Sequence, residues 1–341
     1  MSSRIVAGVG KARTAGSLPC ALCRSSRPEG PEVLATTELP DPTPGPAEML
    51  VEVAAVGVNY IDTYQREGRY PMRLPYVPGL EGAGRVRSVG REVRDFSVGD
   101  RVAWAETLGS YAELVAVPAA KAVPVPGAVP DELAAAALLQ GMTAHALTHD
   151  TYPIRAGDDV LVHAAAGGVG LLLTQFATTR GARVIAMVST PEKAELARQA
   201  GAADVIRYTE VDDLAAAVRG LTGGAGVAAA YDGVGRDTID ASLASLRPRG
   251  ILVLFGAASG PVPAVDPMRL YNGSFFLTRP RLYDYVATTD ELRARATAVY
   301  AGVGDGSLPI RIGHRYPLAE ARAAHEDLQS RRTTGKLLLL P

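Results

Sequence analysis

The stretch DVLVHAAAGGVGLLLTQFATTRGARVIAMVST, residues 159–190, decides the fold. An apolar run, DVLVHA, enters a cluster of small residues and leaves with helical periodicity, and a second apolar run, ARVIAMV, follows. Set on the G-x-G-x-x-G pattern, AAGGVG (165–170) puts Ala165 at the first glycine, Gly167 at the second and Gly170 at the third. The second glycine lets backbone approach a pyrophosphate, and the third lets helix and strand pack closely. The helix N-terminus then offers free N–H groups and a positive dipole end to phosphate. The first position is imperfect, but strand, turn, helix and strand come in the order the motif demands.

The strand after the turn ends in Met187-Val188-Ser189, where NAD-binding turns place an acid for the adenosine ribose. A carboxylate would repel a 2′-phosphate, whereas the Ser189 hydroxyl and the Lys193 ammonium one helical turn later would hold it. The competing use of this segment is helix capping, with Thr190 as N-cap and Pro191 as first helical residue. Absence of the acid and presence of the cation predict NADPH rather than NADH.

Working outward, strand-like runs at 159–164, 182–188, 204–207, 227–232 and 250–256 alternate with helical segments. Such alternation implies parallel pairing through right-handed crossovers and a doubly wound sheet. Residues 31–126 instead carry many Pro and Gly between short β-rich runs at 49–58, 82–90, 100–106 and 111–117. That spacing suits a folded-over antiparallel sheet or small barrel. The run 131–150 is helical in composition, as is the amphipathic stretch ELRARATAVYAGVGDG near the end. The first 25 residues show no periodicity. The fold class is therefore α/β, a β-rich unit beside a doubly wound one.

At 341 residues the chain is sized for about two domains. It is 47% hydrophobic and 21% charged, with ample material for cores. A net charge of −1 without like-charge blocks points away from nucleic acid and anionic membranes. No apolar segment approaches a membrane span, and no signal-peptide pattern opens the chain, so a soluble, cytoplasmic protein is expected. Cys20 and Cys23 form a C-x-x-C that supplies only half of a zinc site and has no βαβ unit beside it for redox work.

GVNYIDTYQREGRYPMRLPYVPGLEGAGRV (57–86), HAAAGGVG (163–170) and YDGVGRDT (231–238) together carry a specific resemblance. They resemble the zeta-crystallin-like quinone oxidoreductases of the medium-chain dehydrogenase/reductase superfamily, and bacterial NADPH:quinone reductases in particular. The resemblance implies a GroES-like catalytic domain built from 1–141 with 283–341, and an inserted Rossmann NADP-binding domain over 142–282. It implies that Asn59, Asp62 and Tyr64 border the nicotinamide ribose and the cleft, and that Thr143 contacts the nicotinamide side. Gly168 and Val169 match pyrophosphate positions, and Ser189, Lys193 and Tyr208 match a 2′-phosphate pocket. Val234, Gly256 and Ala257 follow strand ends, and Arg331 and Lys336 match basic positions near the cofactor. His145 and Ala146 stand where close relatives carry aromatic residues, a departure on the substrate side.

Zinc-dependent cousins place Cys at Asn59 and His-Glu at Leu80-Glu81, and the five histidines here show no ligand spacing with a partner. No metal is expected. An acceptor that is already electrophilic, a quinone or activated alkene, needs no Lewis acid to take hydride. Tyr64 and Tyr70 are the candidate proton donors or hydrogen-bonders. Two other readings stand beside quinone reduction. One is a 2-alkenal or enoyl-thioester reductase, because Tyr70 matches that branch's proposed donor. The other is a non-catalytic NADPH-binding protein of crystallin or RNA-binding type. The apolar run 274–278 is expected to pair antiparallel with its copy in a homodimer, as relatives do and as an exposed edge requires.

Overall fold

The computed structural model describes residues 20–25 and 28–341. β1 (Cys20–Ser25) and β2 (Leu34–Leu39) form a two-stranded antiparallel ribbon. The unpatterned N-terminal stretch thus ends in a strand, whose backbone carries the C-x-x-C pair; residues 1–19 lie outside the described residues.

A seven-stranded sheet follows, with β3 (Glu48–Val58) at its centre. Around it lie β4 (Gly82–Val89), β5 (Arg101–Trp104), β6 (Leu114–Pro118) and β7 (Ala122–Pro124). Met49, Val51 and Val53 alternate inward along β3, each fully buried Val-sized side chain contributing about 1.5–3 kcal/mol. The fourth predicted run begins late, because 110–112 turn the chain and send Tyr111 into the interior. Helix α1 (Tyr60–Arg66) leaves β3 directly, through a capping box in which Asn59 and Asp62 serve each other's backbones.

Helix α2 (Asp131–Ala146) is apolar on all sides, with Ala134, Ala135, Ala136 and Ala137 buried. Small residues let it lie close between the two sheets, and a single apolar core runs from Ala55 and Ala83 through it to Val160 and Val184.

The second sheet is parallel throughout. Its strands are β8 (Asp159–Val162), β9 (Arg183–Val188), β10 (Asp204–Arg207), β11 (Val227–Asp232), β12 (Leu246–Leu254) and β13 (Phe276–Thr278). The order β10-β9-β8-β11-β12-β13 reverses between β8 and β11, the switch point where such sheets bind ligands. Helices α3 (Gly168–Thr179), α4 (Pro191–Gln199), α5 (Leu214–Leu221), α6 (Ile239–Ala244) and α7 (Met268–Tyr271) make the crossovers. β13 is shorter than the predicted 274–278, since Ser274 takes a positive φ of 51° that ends regular pairing.

The chain then returns. After α8 (Thr289–Asp305), β14 (Ile312–Pro317) and α9 (Ala321–Gln329), β15 (Lys336–Leu340) pairs antiparallel with β3, setting Leu337 opposite Val58. Two stretches far apart in the chain, 48–124 and 312–340, therefore build the first sheet, with the parallel sheet between them in sequence.

Candidate active site

Between the two sheets lies a cleft of about 1080 Å³. The strand ends of β8, β9, β11 and β12 open into it through Ala164, Ser189, Val234 and Gly256. α1 and α2 face them with Asn59, Tyr64, Gln140 and Thr143. The glycine-rich turn forms the floor. A Cβ on Gly170 would collide with the backbone of Ala164 and Ala165, which fits the close-packing role of the third glycine. Gly167 is the N-cap of α3 and has no capping side chain, so the first-turn N–H groups of Gly168 and Val169 face the cleft uncapped.

At the far end Ser189, Lys193, Tyr208 and Arg331 line the cleft together. Thr190 is the cap of α4, accepting from the Lys193 backbone N–H, so capping does not consume Ser189. Lys193 Nζ donates to the Arg331 carbonyl, and burial lowers the ammonium's pKa. Arg331 holds φ at 61°, uncommon for a non-glycine residue, and faces Asp237 at 3.6 Å. These donors and cations, with no acid at the end of β9, fit a phosphorylated ribose.

At the other end Tyr64 is buried. Its hydroxyl accepts from the Ala257 N–H at 3.0 Å, leaving its own proton to donate. Burial pushes its pKa up to about 12, which keeps the hydroxyl neutral. Arg69 caps the arrangement, 5.2 Å above the Tyr64 ring and bonded to the Ala257 carbonyl. Tyr70 meets Tyr64 edge-on at 6.0 Å. Thr143 donates its hydroxyl back to Leu139 of its own helix, so only its lone pairs remain for a ligand.

Asn59 is held on both ends of its amide. Its Nδ2 donates to Glu81 Oε1 at 2.7 Å, and its Oδ1 accepts from Gln140 Nε2 at 3.1 Å and Lys336 Nζ at 2.8 Å. Lys336 and Glu81 are themselves bonded and almost wholly buried. Glu81 also accepts from the Leu139 N–H, which ties α2 to the start of β4. Among the described residues no group of three His, Cys, Asp or Glu side chains could hold a metal ion.

Most of the expected residues meet in this cleft, but three stand behind its wall. Lys336 faces Glu81 and Asn59 instead of the cavity, because β15 enters the sheet beside β3 and turns the side chain inward. Asp62 is fully buried, accepting from the Asn59 N–H and the Tyr111 hydroxyl, and burial raises its pKa to about 7. Ala257 contributes backbone that orients Tyr64 and Arg69. His145 and His149 stack at 3.8 Å, and Arg295 contacts His145 at 2.7 Å.

Sequence reading missed Asp232. Its carboxylate accepts from Val234 N, Gly235 N, the Thr238 hydroxyl and the Ser242 hydroxyl, which builds the turn that presents Val234. The Asp-Gly-x-Gly spelling of that turn is the signal that could have found it. Gln140 opens the QGMTA run that holds Thr143, whereas Glu106, also on the cleft wall, carries no motif signal.

With this geometry in place, the comparisons with known proteins are consistent with one another. A model of the alcohol dehydrogenase GroES-like domain matches residues 45–127, and one described as zinc-binding dehydrogenase matches 168–310. A quinone oxidoreductase of Pseudomonas aeruginosa is 46% identical over 315 residues, 92% of this chain and 97% of that one. The Escherichia coli quinone oxidoreductase solved with NADPH superposes with a TM-score of 0.92 at 41% identity, covering 94% of this chain and 100% of that one. A mycobacterial protein solved with NADPH gives 0.92 at 50% identity, with the same coverage. Identity of this order over nearly the whole length, on the same two-sheet architecture, makes the chain a member of the zeta-crystallin-like quinone oxidoreductase family of the medium-chain dehydrogenases/reductases.

Proposed function

We propose that this protein is an NADPH-dependent quinone reductase that delivers hydride to a quinone without a metal. The observation that carries the reading is the single cleft running from a cationic pocket at Lys193 and Ser189, past the glycine turn, to a tyrosine-lined end. NADPH, when bound, supplies the hydride, and the chain supplies position and electrostatics. The open N–H groups of Gly168 and Val169 hold pyrophosphate; Ser189, Lys193, Tyr208 and Arg331 hold the 2′-phosphate. Val234, Gly256 and Thr143 flank the nicotinamide, with Asn59 braced behind it by Lys336. Tyr64 hydrogen-bonds the acceptor oxygen through its free hydroxyl proton. Asp62 holds α1, and hence Tyr64, in place.

Several further assignments belong to this reading. The catalytic domain comprises 1–141 with 283–341, and the NADP-binding domain 142–282. Two copies pair through the open edge at β13, where Phe276 is 59% exposed. The partners are small molecules rather than nucleic acid, as a net charge of −1 supports. No described helix is long and apolar enough to cross a membrane, and NADPH is a cytoplasmic metabolite, which supports a cytoplasmic location.

The test is NADPH consumption against a panel of quinones, with NADH as control. Rapid oxidation of NADPH alone is expected; no turnover with any quinone overturns the reading. A second reading, reduction of 2-alkenals or enoyl thioesters, is favoured by Tyr70 on the cleft wall. Crotonyl-CoA and a 2-alkenal in the same assay separate the two, and binding without turnover of any acceptor would indicate a non-catalytic NADPH-binding protein.

A further inference from the structure

The acceptor end of the cleft holds one carboxyl group that the proposed mechanism does not use. Glu106 follows β5 and lines the cavity. Its backbone sits at φ 59°, a conformation rare for a residue with a Cβ and costly enough that surrounding structure must enforce it. The next residue supplies that enforcement, since the Thr107 N–H is bonded to the Leu80 carbonyl at 3.1 Å. The carboxyl group makes no hydrogen bond or ion pair among the described residues.

Three charged groups face Glu106 from other elements. Lys121 comes from the turn after β6, Arg281 from the segment after β13, and Glu81 from the start of β4. Two of them are already committed: Arg281 is held by Asp284 at 2.6 Å and Glu81 by Lys336. Lys121 lies over the Tyr283 ring at 4.9 Å.

The chemistry of the cleft asks for an acid at this end. A quinone that takes hydride becomes a hydroquinone anion and needs one proton. Tyr64 is a weak source, with a pKa raised to about 12, while Tyr70 is 43% exposed at the rim. Building on the reductase reading, we infer that Glu106 is the general acid that protonates the reduced acceptor. The acceptor gains a hydride, and the dihydronicotinamide is oxidised to nicotinamidium. The Glu106 O–H bond then breaks, its proton passes to the acceptor oxyanion, and the carboxylate recovers a proton from solvent. Burial raises the carboxyl pKa, the direction this role needs.

The test uses the full-length protein, NADPH and 1,4-naphthoquinone, comparing wild type with Glu106→Gln, Glu106→Asp and Glu106→Gly. Because the protonated form is the active one, wild-type kcat should fall as pH rises through the Glu106 pKa. Glu106→Gln should lower kcat about a hundredfold and flatten that limb, with NADPH affinity unchanged. Glu106→Asp should restore part of the rate and the limb. Glu106→Gly relaxes the backbone, and should match Glu106→Gln in rate while melting no lower than wild type. An active wild type whose Glu106→Gln variant keeps both rate and pH profile overturns the inference alone. A wild type that oxidises no NADPH with the quinone overturns the reductase reading along with it.

Discussion

Lys336 Nζ lies 2.8 Å from Asn59 Oδ1, across 277 residues of sequence, and the same ammonium is bonded to Glu81. A buried pair is expensive to form and more expensive to break, because the surviving charge has no solvent. Lys336→Met should therefore cost about 3–5 kcal/mol in urea unfolding. The double variant Lys336→Met with Glu81→Gln should recover much of that loss. A single variant as stable as wild type would show the pair is not holding the wall.

Cofactor choice rests on the pocket at the end of β9. Lys193→Ala should raise the NADPH dissociation constant about tenfold or more through loss of a charge-assisted contact, while NADH binding barely changes. The same substitution frees the Arg331 carbonyl, so a small loss common to both cofactors is compatible with the assignment. Equal large losses are not.

The chain Arg66–His325–Tyr111–Asp62 predicts a pH effect. Arg66 Nη1 is 3.0 Å from His325 Nδ1, and Tyr111 bridges His325 Nε2 to Asp62. With a guanidinium donating to Nδ1, the ring must stay neutral, and burial drives its pKa down to about 3. A depressed pKa means the contribution is present above the unfolded value of about 6.5 and is lost as pH falls towards 3. The melting-temperature gap between wild type and His325→Gln should narrow from pH 7 to pH 4. A gap independent of pH would count against the neutral ring.

Assembly is checked at β13, paired with β12 on one side and, among the described residues, open on the other. Phe276→Lys should shift the protein towards monomer in sedimentation. A monodisperse monomer for the unmutated chain at micromolar concentration would rule out the homodimer.

Local chemistry made much of this protein legible in sequence. The parallel strands announced themselves as apolar runs separated by helical periods, and the glycine turn by spacings that only close backbone approach requires. Ser189 and Lys193 stand out in the sequence because the expected acid is missing from a position defined by the turn itself. The β1 strand was not, because its sequence alternates weakly and its partner supplies the pairing.

What sequence alone determined was the material lying within one βαβ unit: the parallel strands, the glycine turn and the residues gathered at the end of β9. Only the tertiary structure decided which groups meet across the cleft. The return of β15 beside β3 turns Lys336 away from the cleft and onto Glu81, and the approach of the β12 end to α1 gives Tyr64 its Ala257 partner. Such contacts join residues far apart in the chain, and no period or motif encodes them. They follow from burial, which leaves each polar group inside the wall to find whatever partner the packing brings within reach.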